Sequence, residues 1–333
     1  MKERTLIGMK RSVQIKKIVV SFIISALIFS LTAILFSIAF SCGRSNRTGT
    51  DKNKNDQTVG NAFNLLLMIS DYIPEKFDDY DPVYVKNVMG LSVSPPTKLP
   101  PSSIEGYRKV CVERMVIVRF DSNLGKLVFI PISGNTLVYV KGLRVKLGDV
   151  AGEWGISLLI EKIHALTGIK PDNFAVFSPQ NAAKAIDLAG NIDYTVKCNM
   201  KQSVPERGLN VDITAGTYRF DGKTSVDLIR FDDYEKTGVE RSEIISGYLK
   251  RLLSNLSDNF TKNELKNNIK SAFELSYTDF DKSKDKLDQM LLMRQLEMNY
   301  VELEGGWQTV DRERYFVPNE TETLNKLFIY RAK

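Results

Sequence analysis

Apolar positions along the chain fall into runs of two periods. Residues 61–69 (NAFNLLLMI) are continuously apolar apart from two asparagines and end at Asp71, which reads as a buried strand. Residues 114–120 and 126–132 are β-branched runs joined by DSNLG, a set of turn formers, and predict a hairpin. A third run, 136–140, follows the break Ser133-Gly134-Asn135. Helical spacing then takes over: Ile156, Leu159, Ile160, Ile163 and Leu166 predict a helix over 155–167 with Gly168 as its stop. Strands at 174–177 and 192–196 flank a helix at 179–188. Residues 225–229 lead into the charged cluster Arg230-Phe231-Asp232-Asp233, and a second strong helix starts near Glu240, with Ile244, Ile245, Tyr248, Leu249, Leu252 and Leu256 on one stripe. Further helices are expected at 283–297 and 320–328, with a glycine turn at Gly305-Gly306 between them. This alternation predicts an α/β domain, a three-layer αβα sandwich around a central mixed sheet.

Two stretches stand outside this pattern. Residues 72–110 are rich in Pro, Asp and Tyr without periodicity and read as a long insertion. Residues 18–40 hold no charge and, at about 1.5 Å per residue, are long enough to cross a bilayer as a transmembrane helix. Six basic residues and Glu3 precede that segment, so residues 1–17 are expected in the cytoplasm and the domain at 61–333 outside, beyond a polar tether at 41–60. Cys42, preceded by Ala39-Phe40-Ser41, resembles a relaxed lipoprotein box; a retained signal anchor is the preferred reading, and lipidation at Cys42 is the alternative. Both leave the domain tethered to the cell membrane on the extracytoplasmic side.

The formal charge of +6 changes little after this, because the N-terminus carries most of it. The basic balance is a topology signal, and nucleic acid is not an expected partner. Cys111 and Cys198 could form a bridge outside the cytoplasm or be buried thiols. The lone histidine, His164, lies within the predicted helix at 155–167 and reads as a surface or half-buried residue rather than a catalytic base. No phosphate-binding glycine loop follows any strand. What is left is charged: Asp71 and Glu113 at strand ends, and Arg230 and Arg241 on either side of a loop opening a helix. Carboxylates so placed can hold Mg²⁺, and arginines clamp phosphate, a set suited to phosphoryl transfer.

In NLLLMISD, RMVIVRFDSNLGKLVFIPISGNTLVYV, DLAGNIDYTV and ITAGTYRFDGKTSVDLIRFDD, the chain resembles the LytR-CpsA-Psr family from about Asn61 onward. The last segment is the most specific, with Ala215, Gly216, Asp221, Gly222 and Arg230 in place. The resemblance implies a cell-envelope phosphotransferase that moves a glycan phosphate from a polyprenyl pyrophosphate carrier to peptidoglycan or another wall acceptor. It implies Mg²⁺ held by Asp71 and Glu113, and arginines 230 and 241 on the pyrophosphate. The chain departs from the pattern at Gly134-Asn135, where the family has Arg-Asp, at Asp232, which replaces the second arginine of a pair, and at Ile244-Ile245. Asn135, Asp232, Arg119 and Arg144 are therefore expected as the substrate-binding remainder, with Lys146 another cation that could restore charge. The alternative is a non-catalytic protein of the same fold that binds a polyprenyl lipid or wall glycan; a purely structural envelope lipoprotein would need no lipid-sized cavity.

Overall fold

The computed structural model describes residues 62–70 and 111–331. Residues 18–40, Cys42, Asp71 and the insertion at 72–110 lie outside the described residues. Among the described residues no helix is long and apolar enough to cross a membrane.

The strands in chain order are β1 (Ala62–Ser70), β2 (Val112–Asp121), β3 (Lys126–Ser133), β4 (Leu137–Val140), β5 (Leu143–Lys146), β6 (Asn173–Phe177), β7 (Ile192–Val196), β8 (Met200–Val204), β9 (Leu209–Ile213), β10 (Gly216–Phe220), β11 (Tyr277–Thr278), β12 (Glu297–Tyr300), β13 (Gly305–Val310) and β14 (Glu313–Pro318). The helices are α1 (Leu147–Trp154), α2 (Ile156–Thr167), α3 (Pro179–Asp187), α4 (Gly222–Arg230), α5 (Arg241–Asn259), α6 (Lys262–Glu274), α7 (Lys284–Leu291) and α8 (Glu320–Lys326).

A mixed six-stranded sheet runs β11-β6-β1-β2-β3-β12. The β1, β2 and β3 strands are antiparallel neighbours, whereas β6 and β12 join as parallel strands. The centre of the sheet is apolar on both faces, which is why β1 reads as a continuous run rather than an alternating one. On one face Leu66, Met68, Ile117 and Ile130 pack against α1 and α2. On the other, Phe63, Leu65, Val118 and Phe129 pack against α6 and α7. A third apolar layer joins β7 and β10 to α4 and α5.

Most predicted elements are present within a residue or two, and three differ for identifiable reasons. The strand at 192–196 forms, but pairs with β10 outside the central sheet. The helix expected over 283–297 stops at Leu291, because Glu297–Tyr300 extends to pair with the edge of β3. Gly305-Gly306 opens a strand instead of making a turn: a Cβ on Gly305 would lie 2.4 Å from the Val317 carbonyl oxygen, so glycine permits the close pairing of β13 with β14. The turn of that hairpin is Asp311-Arg312, both at positive φ. His164 is exposed, as expected. Cys198 is buried in the third layer, Cys111 is half-buried before β2, and neither is bridged to the other.

Candidate functional site

The polar cluster is assembled where β2 begins. Pairing of β1 with β2 slips there, Ile69 facing Arg114 and Ser70 facing Val112, so Glu113 sits at a bulge. The bulge re-aims consecutive side chains: Glu113 turns toward Arg230, while Arg114 stays on the cavity face of the strand with Val116, Val118 and Phe120. The Glu113 carbonyl oxygen accepts from Gly134 N at 3.2 Å and from an Arg114 guanidinium N–H at 3.0 Å. Gly134 is required by this crossing, because a Cβ would meet the Val112 oxygen at 2.4 Å. Glycine at position 134 is thus a backbone requirement here. Asn135 is tied by its main chain, its N–H donating to Ser133 Oγ at 3.2 Å and its oxygen accepting from Phe316 N at 3.0 Å.

Four guanidinium groups and two carboxylates meet at this point. Arg230, at the end of α4, is 2% exposed, donates from Nε to Glu113 Oε1 at 2.7 Å and from Nη2 to the Arg207 carbonyl at 2.8 Å. Arg207 pairs with Glu113 Oε2 and, at 3.4 Å, with Asp232 Oδ2. Arg114 pairs with Asp232 Oδ1 and donates to the Ile229 and Arg230 carbonyls at 3.1 and 2.6 Å. Arg241, at the first position of α5, donates to the carbonyls of Phe231 and Ile229 at 2.9 and 3.1 Å and lies over the Tyr234 ring. These bonds hold the loop between α4 and α5 in one shape, the task of a binding-site scaffold.

The cluster closes one end of an apolar cavity of about 360 Å³ between β1–β3 and helices α3, α5 and α6. Leu249, Leu252 and Leu256 of the α5 stripe face it and are therefore only partly buried. Arg114, Arg241, Tyr300 and Asn268 are the residues with polar side chains in a lining that is otherwise apolar. From Arg114 to Phe120 the wall runs about 20 Å along β2, at roughly 3.3 Å per residue.

Burial pulls the Arg114 guanidinium below its ordinary value, against the attraction of Asp232. Burial would raise Asp232, but Arg114, Arg241 and Arg207 outweigh it and hold the carboxyl below the usual carboxylate range. Glu302 is shifted the other way, chiefly by burial. Because the folded value of Asp232 is depressed, its contribution to stability is present above about pH 4, near the unfolded value, and lost as pH falls through the folded value. An Asp232→Asn variant is expected to show a shallower loss of stability on acidification below pH 4, measured as unfolding midpoint against pH; an acid limb identical to wild type would refute this pairing.

Glu113, Arg230, Arg241 and Asp232 are brought together, but Arg119 and Arg144 are not. Arg119 is 1% exposed and faces the other side of β2, paired with Asp121 at 2.8 Å and donating to Asn64 at 3.0 Å. Arg144 pairs with Asp311, and Lys146 with Glu313, on the β13–β14 hairpin. The charge those residues were expected to restore comes from Arg114 and Arg207. Asp71 lies outside the described residues, and among the described residues no three carboxylate, histidine or cysteine side chains converge. All four carboxylate oxygens of Glu113 and Asp232 face arginines, so as they stand they do not fit a resident divalent cation.

The model of the LytR_cpsA_psr family matches residues 109–327. The chain belongs to the LytR-CpsA-Psr family. Solved structures share the fold at low identity. TagV of B. subtilis is 14% identical with a TM-score of 0.57, covering 81% of this chain and 96% of TagV. The protein gbs0355 of Streptococcus agalactiae is 15% identical with a TM-score of 0.58, covering 82% of this chain and 90% of its own. The LytR-CPS2A-psr family protein YwtF (TagT), with bound octaprenyl pyrophosphate lipid, is 13% identical with a TM-score of 0.51, covering 84% of this chain and 92% of its own. No curated protein matches the chain in sequence. Asp232, at a position where the resemblance implies an arginine, pairs with Arg114 and Arg207.

Proposed function

We propose that the domain binds a polyprenyl pyrophosphate lipid, with the isoprenoid tail in the apolar cavity and the phosphates at the arginine end. The observation that carries this reading is the coincidence of an apolar cavity with Arg114 and Arg241 on its wall. An apolar tail is drawn into such a space by removal of its surface from water. The solved structure of YwtF (TagT) with bound octaprenyl pyrophosphate adds support from a neighbour of the same fold.

In this reading the domain is a divergent cell-envelope glycopolymer phosphotransferase. An acceptor hydroxyl on peptidoglycan or another wall polymer attacks the phosphorus bearing the glycan. The new P–O bond forms as the hydroxyl proton passes to solvent, the bridging P–O–P bond breaks, and polyprenyl phosphate leaves with the electron pair. Guanidinium groups stabilise the charge that grows on the departing phosphate, as preorganised donors do in a desolvated site. An anchor at 18–40 or a lipid on Cys42 would keep the domain beside its lipid substrate. Mg²⁺ has no part in these steps, because arginines already face both Glu113 carboxylate oxygens.

A second reading is favoured by Asp232. Its carboxylate neutralises Arg114 and Arg207, so a protein that holds the lipid without transferring the glycan accounts for that exchange. Calorimetric titration of the full chain in detergent micelles with octaprenyl pyrophosphate, with and without Mg²⁺, tests the binding. Arg241→Ala is expected to weaken it roughly 10- to 100-fold, the loss of a hydrogen-bonded charge contact. Binding indifferent to Arg241 would remove the arginine end from the proposal. Transfer of labelled glycan to peptidoglycan separates the two readings, since only the transferase forms product.

A further inference from the structure

Tyr300, the last residue of β12, lines the cavity beside Arg241 and packs between the α6–α7 layer and the β7–β10 layer. Its hydroxyl is shut off from solvent; the Arg241 guanidinium lies beside it as a donor, and no group among the described residues accepts its proton. A buried hydroxyl left this way carries a desolvation cost that the fold does not recover, so its proton calls for an acceptor. The nearby charges narrow the kind of acceptor. Arg241 acts on the phenol more strongly than the Glu302 carboxylate does in the opposite sense, and Arg114 shares the cavity wall. An anionic oxygen entering there would accept a hydrogen bond from the phenol and meet two guanidinium groups at once. A neutral carbonyl would waste the cationic surroundings, and the rest of the lining, Asn268 apart, offers only apolar side chains.

We infer that the Tyr300 hydroxyl donates a hydrogen bond to the phosphate attached directly to the isoprenoid tail. The assignment rests on the lipid-binding function proposed above and specifies one headgroup contact within it. Tyr300, Arg114 and Arg241 are cavity-lining residues, while Glu113, Arg207 and Arg230 are not. The phosphate nearest the tail therefore meets Tyr300 and Arg241 before the outer phosphate reaches the rest of the cluster. Burial, above all, holds the phenol protonated far above its ordinary range, so it enters as a donor. The same contact would hold the polyprenyl phosphate that leaves in a transfer reaction.

Tyr300→Phe removes the hydroxyl and keeps the ring. The full chain in detergent micelles is titrated with octaprenyl pyrophosphate, octaprenyl monophosphate and octaprenol, as wild type and as Tyr300→Phe. The variant is expected to lose roughly tenfold in affinity for both phosphate lipids, to bind octaprenol unchanged, and to be at least as resistant to unfolding as wild type. Unchanged affinity for both phosphates overturns the assignment while the lipid-phosphate function stands. An equal loss for octaprenol, or a drop in stability, overturns it too, because the hydroxyl would then serve packing. If wild type does not distinguish the phosphates from octaprenol, the proposed function and the Tyr300 assignment fall together.

Discussion

Arg230→Ala is expected to destabilise the fold by about 3–5 kcal/mol, the cost of stranding one member of a buried ion pair. The guanidinium is 2% exposed and Glu113 5% exposed. Truncation removes the 2.7 Å Nε contact to Glu113 and the 2.8 Å bond to the Arg207 carbonyl together. Arg207 continues to face Glu113 Oε2, so the carboxylate keeps one partner, and a loss beyond this range is not expected. The pair joins the start of β2 to the end of α4, two elements 117 residues apart in sequence. Denaturant unfolding of the full chain, followed by tryptophan fluorescence, reads the effect. A change below about 1 kcal/mol, typical of a solvated pair, would show that this pair does not tie the elements together. Replacing both partners, as Glu113→Leu with Arg230→Met, is expected to cost less than the sum of the single changes.

A second large effect is expected in the cavity. Ala185 of α3 is a lining residue, half-buried and carrying only a methyl group. Ala185→Trp would place an indole in a space of about 360 Å³. Filling an apolar void restores contacts that its walls lack, so stability is expected to hold or rise. Affinity for octaprenyl pyrophosphate is expected to fall by about 100-fold or more, because tail and indole compete for one volume and each buried CH₂ contributes about 0.8 kcal/mol. The opposed signs matter: a variant that merely misfolds loses both. Equal lipid affinity in a folded Ala185→Trp protein would place the tail elsewhere.

The central strands were legible because each is a short apolar run bounded by turn formers, and the DSNLG hairpin formed where its residues implied. The cavity was not legible. The spacing of Leu249, Leu252 and Leu256 shows that they point inward, but periodicity is the same whether the space they face is filled or empty. Arg114 and Arg119 illustrate a second limit. Both punctuate one apolar strand, and an interval of five residues places them on opposite faces. Their shared strand made Arg119 as plausible as Arg114; the parity with Val116, Val118 and Phe120 was the available signal. Arg207 offered none, since it sits in a short turn whose approach to Glu113 depends on tertiary folding. Arg144 and Lys146 are near the site in sequence, yet a hairpin more than 160 residues later captures both. Gly134 reads as a lost phosphate clamp in sequence and as a close backbone crossing in three dimensions.

The most direct test of a lipid-phosphate site is calorimetric titration of the wild-type full chain with octaprenyl pyrophosphate beside inorganic pyrophosphate under identical conditions. One-to-one binding of the lipid, tighter than inorganic pyrophosphate by at least about 100-fold, is expected from adding the apolar cavity to the arginine end. Equal affinities for the two, or no binding of the lipid, would contradict it.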